Sequence, residues 1–318
     1  MKHLLSGFLA FLVSVGNGLA VDKKPVYFLG KNPVTHEQLL TCLRNHGLTE
    51  PAKKLEKQLT PGVRLVAMPQ VMQAAPTGSR LGGRPSLPAG MAWPEWRGTN
   101  LAFLALVNLR ELQASVPRAE LPARGLLLFF YDAHQSASGF DPKDKGSWQV
   151  VYVPDEAKTA IAPQWPTRLP EEGRMKGLAL QFRAVQTLPA SPTAALGEPE
   201  LAEKQQTVFD DIVYEYLEHD KPMHQLLGQP VPIQGDNMPL ECQLVSNGLY
   251  CGDGTGYNDP RAEKFQDGAK DWVLLAMIDT DERAGWMWGD GGCLYFWIRR
   301  DDLRARRFEN VWMVSQGY

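Results

Sequence analysis

The stretch DWVLLAMIDTDERAGWMWGDGGCLYFWIRR, residues 271–300, decides the reading of the fold. It contains two apolar runs, 272–278 and 294–298, joined by a connection rich in Gly, Asp and Trp. Apolar runs of this length between turn-forming residues read as buried strands, most simply an antiparallel pair. A second copy lies upstream, where LAFLALV (101–107) and LLLFFY (126–131) flank another polar connection. LAFLALVN overlays WVLLAMID, and GLLLFFYD overlays GCLYFWIR. The pattern predicts an α+β protein of antiparallel sheets with internal duplication and few peripheral helices. Its halves fall at about 61–155 and 220–318, with a helical and loop connector at 156–219.

With 318 residues, 44% of them hydrophobic, the chain can bury a sizeable core. A net charge of -3 supplies no field to draw nucleic acid, and none is expected as a partner. The basic cluster Arg299, Arg300, Arg304, Arg306 and Arg307 is interleaved with Asp301, Asp302 and Glu309. Mixed signs read as a short solvated helix, capped by Asp301 or Asp302, with Leu303 and Phe308 inward. Four cysteines are too few for a disulfide scaffold. Asn247 and Gly248, between Cys242 and Cys251, form a hairpin-turn signal. That turn would set Leu244 opposite Cys251, so a Cys242–Cys251 bridge requires a different register.

Residues 1–20 have the layout of a secretory signal: Lys2 and His3, an apolar core at 4–15, then Gly18 and Ala20. The core is too short to span a bilayer, so no stable membrane insertion is expected after its removal. The mature chain, from about Val21, would lie in a periplasm or outside the cell; the alternative is a cytoplasmic chain with a packed N-terminal helix. Residues 21–60 form a helical region. Thr35 caps its first helix, Gly47 breaks it and Pro51 restarts it. Strands are predicted at 64–68, 149–153 and 178–185. Residues 201–217 carry a helical stripe of Val208, Ile212, Val213, Tyr216 and Leu217, and 223–227 reads as a short helical turn. Each copy of the apolar pair follows a Gly-Pro loop, Gly82-Gly83-Arg84-Pro85 or Leu227-Gly228-Gln229-Pro230.

Signals for chemistry are sparse. There is no Gly-Lys-Ser/Thr phosphate loop and no Gly-x-Ser-x-Gly elbow, and the six histidines form no zinc spacing. No cofactor is expected. Asp236, Asp253 and Asp290 sit in glycine-flanked turns; brought together they could bind a hard cation or act as acid and base in a metal-assisted hydrolase or carbohydrate-acting enzyme. Asp and Gly are also what tight turns require. Trp286 and Trp288 share one face of an extended segment, and Trp93 and Trp96 lie in a Gly- and Pro-dense stretch. These four tryptophans with Asp253 and Asp290 are the candidate surface for engaging another protein.

The stretches GGRPSLPAGMAWP (82–94), LAFLALVNLREL (101–112), GLLLFFYD (125–132), LLGQPVPIQGD (226–236) and MWGDGGCLYFWIRRDDLRARRF (287–308) resemble the YwqG-like family, a bacterial domain of unknown function. The resemblance covers about 61–318; Ala105 and Ala276 stand where that family often has Gln, and 157–197 is unmatched. It implies an α+β fold with duplicated antiparallel sheets and no established activity. Relatives near polymorphic toxin genes imply a toxin-neutralising or toxin-associated role, with a toxin or envelope protein as partner. Relatives are mostly cytoplasmic, so the export signal is a departure from the family.

Overall fold

The computed structural model describes residues 26–30, 33–68, 75–155, 159–161 and 164–318, so the predicted secretory signal lies outside the described residues. Ten strands form one antiparallel sheet: β1 (Thr60–Ala67), β2 (Arg80–Leu81), β3 (Ala102–Asn108), β4 (Leu126–Tyr131), β5 (Trp148–Val153), β6 (Leu178–Thr187), β7 (Gln225–Leu226), β8 (Trp272–Asp279), β9 (Cys293–Arg299) and β10 (Trp312–Gln316). Their spatial order is β10-β9-β8-β7-β1-β6-β2-β3-β4-β5. The quartets β2–β5 and β7–β10 thus extend outward from a central β1–β6 pair. The first strand of the chain pairs with the second quartet, through Val63↔Leu226, and the connector strand β6 pairs with the first, through Leu178↔Leu81.

The quartets agree residue by residue. A register shift falls between Phe103 and Ala105 in β3 and between Leu274 and Ala276 in β8, positions that the sequence overlay superposes. The extra residue of such a bulge breaks the alternation of faces. Leu104 and Ala105 both enter the main core, while Phe103 and Leu106 join a second cluster on the other face. This explains why the strand reads as an unbroken apolar run. Gly82 and Gly83, at φ +56° and +73°, match Leu227 and Gly228, at φ +56° and +72°. In each quartet a buried side chain ties down the loop. Arg80 Nη2 donates to Arg84 O at 2.8 Å, and Gln225 Nε2 donates to Gln229 O at 2.9 Å.

The sheet curls until its two ends meet. Trp148 of β5 packs edge-on against Trp312 of β10, ring centroids 4.9 Å apart, and Phe129 of β4 meets Phe296 of β9 at 5.4 Å. Trp148 Nε1 donates to Val311 O at 2.9 Å, and the Ser315 N–H donates to Ser138 O at 2.9 Å. The 138–140 segment therefore covers part of the β10 edge that would otherwise offer unpaired backbone groups. Leu87, Trp93 and Trp96 of the Pro-rich segment pack on the outer face of the first quartet.

Helices are more numerous than expected, though most are one or two turns. At the N-terminal side α1 (His36–Asn45) starts with the predicted cap, Thr35 and Gln38 closing a reciprocal box. Together with α2 (Thr49–Glu56) it packs on α4 (Glu203–Glu218) through a separate small core that includes Phe209 and Ile212. Between them in the chain, α3 (Leu109–Ser115) is capped by the Asn108 side chain. Three local readings change. Residues 225–226 are a strand rather than a helical turn, because β1 and β8 need a pairing partner between them. Asn247 and Gly248 end helix α5 (Met238–Ser246) instead of turning a hairpin; Gly248, at φ +85°, supplies the left-handed residue that closes a helix, and all four cysteines are free. In α6 (Arg300–Arg304) no side chain caps the start; Asp302 turns inward to accept from Arg307 Nε at 2.6 Å.

The seam yields a test. Gly139 has φ +86°, and a Cβ there would lie 1.8 Å from Met313 O, backbone against side chain with no room to give. Gly139→Ala should therefore lower the stability read from the urea midpoint by more than about 2 kcal/mol; an unchanged midpoint would mean that the ends of the sheet do not meet there.

Candidate functional site

Alternation along β1 sends Val63, Leu65 and Ala67 into the main core and leaves Arg64 on the outer face. Its cross-strand neighbour on β6 is Arg183. Like charges directly opposite one another destabilise a sheet, and Asp220, just past the end of α4, offsets this. Arg64 Nε donates to Asp220 Oδ2 at 2.6 Å, Arg183 Nη2 donates to Oδ1, and Arg64 Nη1 donates to Gln225 Oε1 at 2.8 Å. Lys221 and Pro222 follow as a strap over the outer face, and with Arg283 they line two adjoining hollows.

One hollow, of about 480 Å³, contains Arg64, Arg183 and Asp220. The other is a cleft of about 600 Å³ whose floor is Met277, Cys293 and Tyr295. One wall is the 231–233 segment, held from both sides. Tyr295 OH donates to Val231 O at 2.7 Å, and the N–H groups of Ile233 and Gln234 donate to Gln316 Oε1 at 2.9 and 3.1 Å. Tyr214 and Tyr318, exposed by 65% and 75%, stand at the rim. Lys221 Nζ lies 2.6 Å from Glu218 Oε1. Partial burial works against its charge, but the Glu218 contact outweighs this and raises its pKa.

Behind the cleft lies a buried polar triad. The Asp279 N–H donates to His224 Nδ1 at 3.2 Å, so the ring proton sits on Nε2 and is donated to Asp281 Oδ2 at 3.2 Å. Arg283 Nε and Nη2 grip the same carboxylate at 2.9 and 2.6 Å, and Arg283 Nη1 reaches Ala67 O on β1. Burial alone would push the Asp281 carboxyl up. The hydrogen bonds from His224 and Arg283, with the Arg283 charge, outweigh it and hold the group below the usual carboxylate range. Both His224 nitrogens are engaged and its ring is fully buried, so it is a latch on the 279–283 segment rather than a base open to substrate. At the cleft floor, burial pushes the Cys293 thiol well up, which disfavours the reactive thiolate.

The residues singled out from the sequence do not assemble into one surface. Trp286 and Trp288 are buried and stacked, ring centroids 5.5 Å apart, with Trp286 edge-on to His224 and Trp288 edge-on to Tyr131. Large aromatic area is used here to cover the end of the sheet. Trp93 is half-buried and donates from Nε1 to Leu101 O at 2.7 Å; Trp96 is half-buried beneath the Arg97 guanidinium at 4.1 Å. Asp236, Asp253 and Asp290 are exposed. Asp253 accepts the Thr255 N–H at 2.7 Å, the turn geometry that Asp commonly makes, and Asp236 accepts from Ser191 Oγ at 2.5 Å. Among the described residues no group of three or more His, Cys, Asp or Glu could hold a metal ion, so the aspartate cluster is not formed. Arg64, Arg183, Asp220, Tyr214, Tyr318 and the triad were not picked out beforehand. The available signal was a lone arginine inside each of two strand-like segments.

The architecture is that of an α+β protein on one large antiparallel sheet. The chain belongs to the family described as a domain of unknown function (DUF1963), whose model matches residues 79–316. No curated protein matches it. Among the described residues no helix is long and apolar enough to cross a membrane.

The triad sets a pH dependence. A carboxyl held low in the folded state contributes stability that is present above its unfolded pKa, about 3.9, and is lost as pH falls below that value. Asp281→Asn should cost about 3–5 kcal/mol at pH 7, and the gap to the wild-type chain should narrow below about pH 4. Urea melts at pH 7 and pH 3 check both parts; an equal gap at the two pH values would contradict the ionised latch.

Proposed function

We propose that this chain is a non-enzymatic protein-binding module of the YwqG-like kind, and that an extended segment of its partner lies in the cleft between Tyr214 and Tyr318. The observation that carries the reading is the pair of exposed rings beside a cleft whose wall is already fixed by the Tyr295 and Gln316 hydrogen bonds. Exposed aromatic side chains favour interfaces, and a pre-ordered wall reduces the entropy lost on binding. The engagement of His224 and the raised Cys293 pKa also favour binding over reaction. The concrete form is a toxin-neutralising or toxin-associated role, with a toxin or envelope protein as partner in the periplasm or outside the cell. We further infer that the sheet is an internal duplication in which the first strands of the two units have exchanged places; the shared bulge and loop geometry support this.

Two measurements test the reading. The tagged full chain, retrieved from its native envelope extract, should carry a stoichiometric partner. Tyr214→Ser with Tyr318→Ser should weaken that complex at least about 10-fold, while stability changes by no more than about 0.5 kcal/mol per site. A complex indifferent to both substitutions would remove the cleft from the interface. N-terminal sequencing of the mature protein should begin near Val21; an intact N-terminus in the cytosol would contradict export.

A further inference from the structure

The hollow beside the cleft has a charge imbalance that the described residues do not resolve. Arg64, Arg183, Lys221 and Arg283 line it, and among the described residues Asp220 is its one lining carboxylate. Lys221 is also paired with Glu218, and Arg283 with Asp281. Each of those two cations is thus balanced, and His219, also in the lining, turns its Nε2 to Phe28 O and lies 3.7 Å from Glu215 Oε1, which leaves Arg64 and Arg183 with the single carboxylate of Asp220. The uncompensated charge is localised, because Arg64 and Arg183 stand directly opposite one another and share Asp220. The side-chain hydrogen bonds of the pair run from Arg64 Nε and Nη1 and from Arg183 Nη2. A concave cationic hollow concentrates potential on an entering anion, and guanidinium groups favour planar, two-toothed partners.

We infer that this hollow is a carboxylate-binding site, taking the acidic group of a ligand whose apolar part lies in the adjoining Tyr214–Tyr318 cleft. Asp220 already shows the mode, with one oxygen on each arginine. The count selects the ligand: a single excess charge is matched by a monoanion, whereas a phosphate monoester, at roughly −1.5 to −2, over-neutralises it. Lys221 and Arg283 face both hollows, so a ligand that crosses the strap keeps its acidic end on the Arg64–Arg183 side. Placing the apolar part rests on the binding reading above; the anion site does not.

The test uses the full chain and small probes, so the two readings fail separately. The arginine Nε–Hε signals are followed by NMR during titration with acetate, acetamide and inorganic phosphate, at constant ionic strength maintained with chloride. Acetate should give a saturable shift at Arg64 and Arg183. Acetamide should give none, and phosphate should bind more weakly than acetate. Arg64 is buried and its loss endangers the fold, so the variant is Arg183→Gln, read at Arg64 and Arg283, with at least about 5-fold weaker acetate binding expected from the loss of one charge-assisted contact. Non-saturating shifts, equal response to acetamide, or unchanged binding in R183Q would overturn the site. Phosphate binding as tight as acetate would overturn the carboxylate assignment. A chain that binds acetate here but retrieves no partner keeps this site and loses the docking role.

Discussion

Two arginines face each other at the middle of the sheet, and the carboxylate of Asp220 holds them together. The β1–β6 pair that carries them is the junction of the quartets. Its inner residues feed the main core, and its outer face is the foundation of the hollow that holds Arg64, Arg183 and Asp220. The carboxylate arrives from the end of α4, so the small helical core that anchors α4 also positions the strap. Arg283 reaches back to Ala67 on β1 and couples the buried triad to the same strand. Packing, charge and the anchor of the buried triad therefore converge on one pair of strands.

Much of the sheet was legible because its signals are local. The runs at 101–107 and 272–278 read as buried strands from length and composition alone, and their overlay superposes the positions at which the structure places a bulge in both. Thr35 identified a helix start as a capping residue, and the structure adds Gln38 as its reciprocal partner. The strands missed or misread were those whose identity depends on partners far along the chain. Gln225 and Leu226 have no pattern of their own; they are a strand because Arg64 and Met277 lie on either side. Asn247 and Gly248 admit two local outcomes, and the burial of Cys242, Leu244 and Val245 on a helix selects the second.

The site was less legible for a related reason. A tryptophan in a glycine-rich segment is equally suited to a core and to a surface, and only the curl of the sheet decides that Trp286 and Trp288 close its end. Arg64 and Arg183 are unremarkable in isolation; their weight comes from a register that joins residues more than a hundred positions apart. The pairing of His224 with Asp281 likewise spans 57 positions, and no spacing rule would propose it.

The crossed placement of β1 and β6 bears on how this chain can be cut. A fragment ending before β6 would leave β2 without its inner neighbour, and one beginning after it would leave β7 without β1. Neither half can be excised as a self-sufficient piece. Because the first quartet closes against the connector strand β6 and the second against β1, synthesis must run past the midpoint before either can finish, which places this chain among slowly assembling topologies.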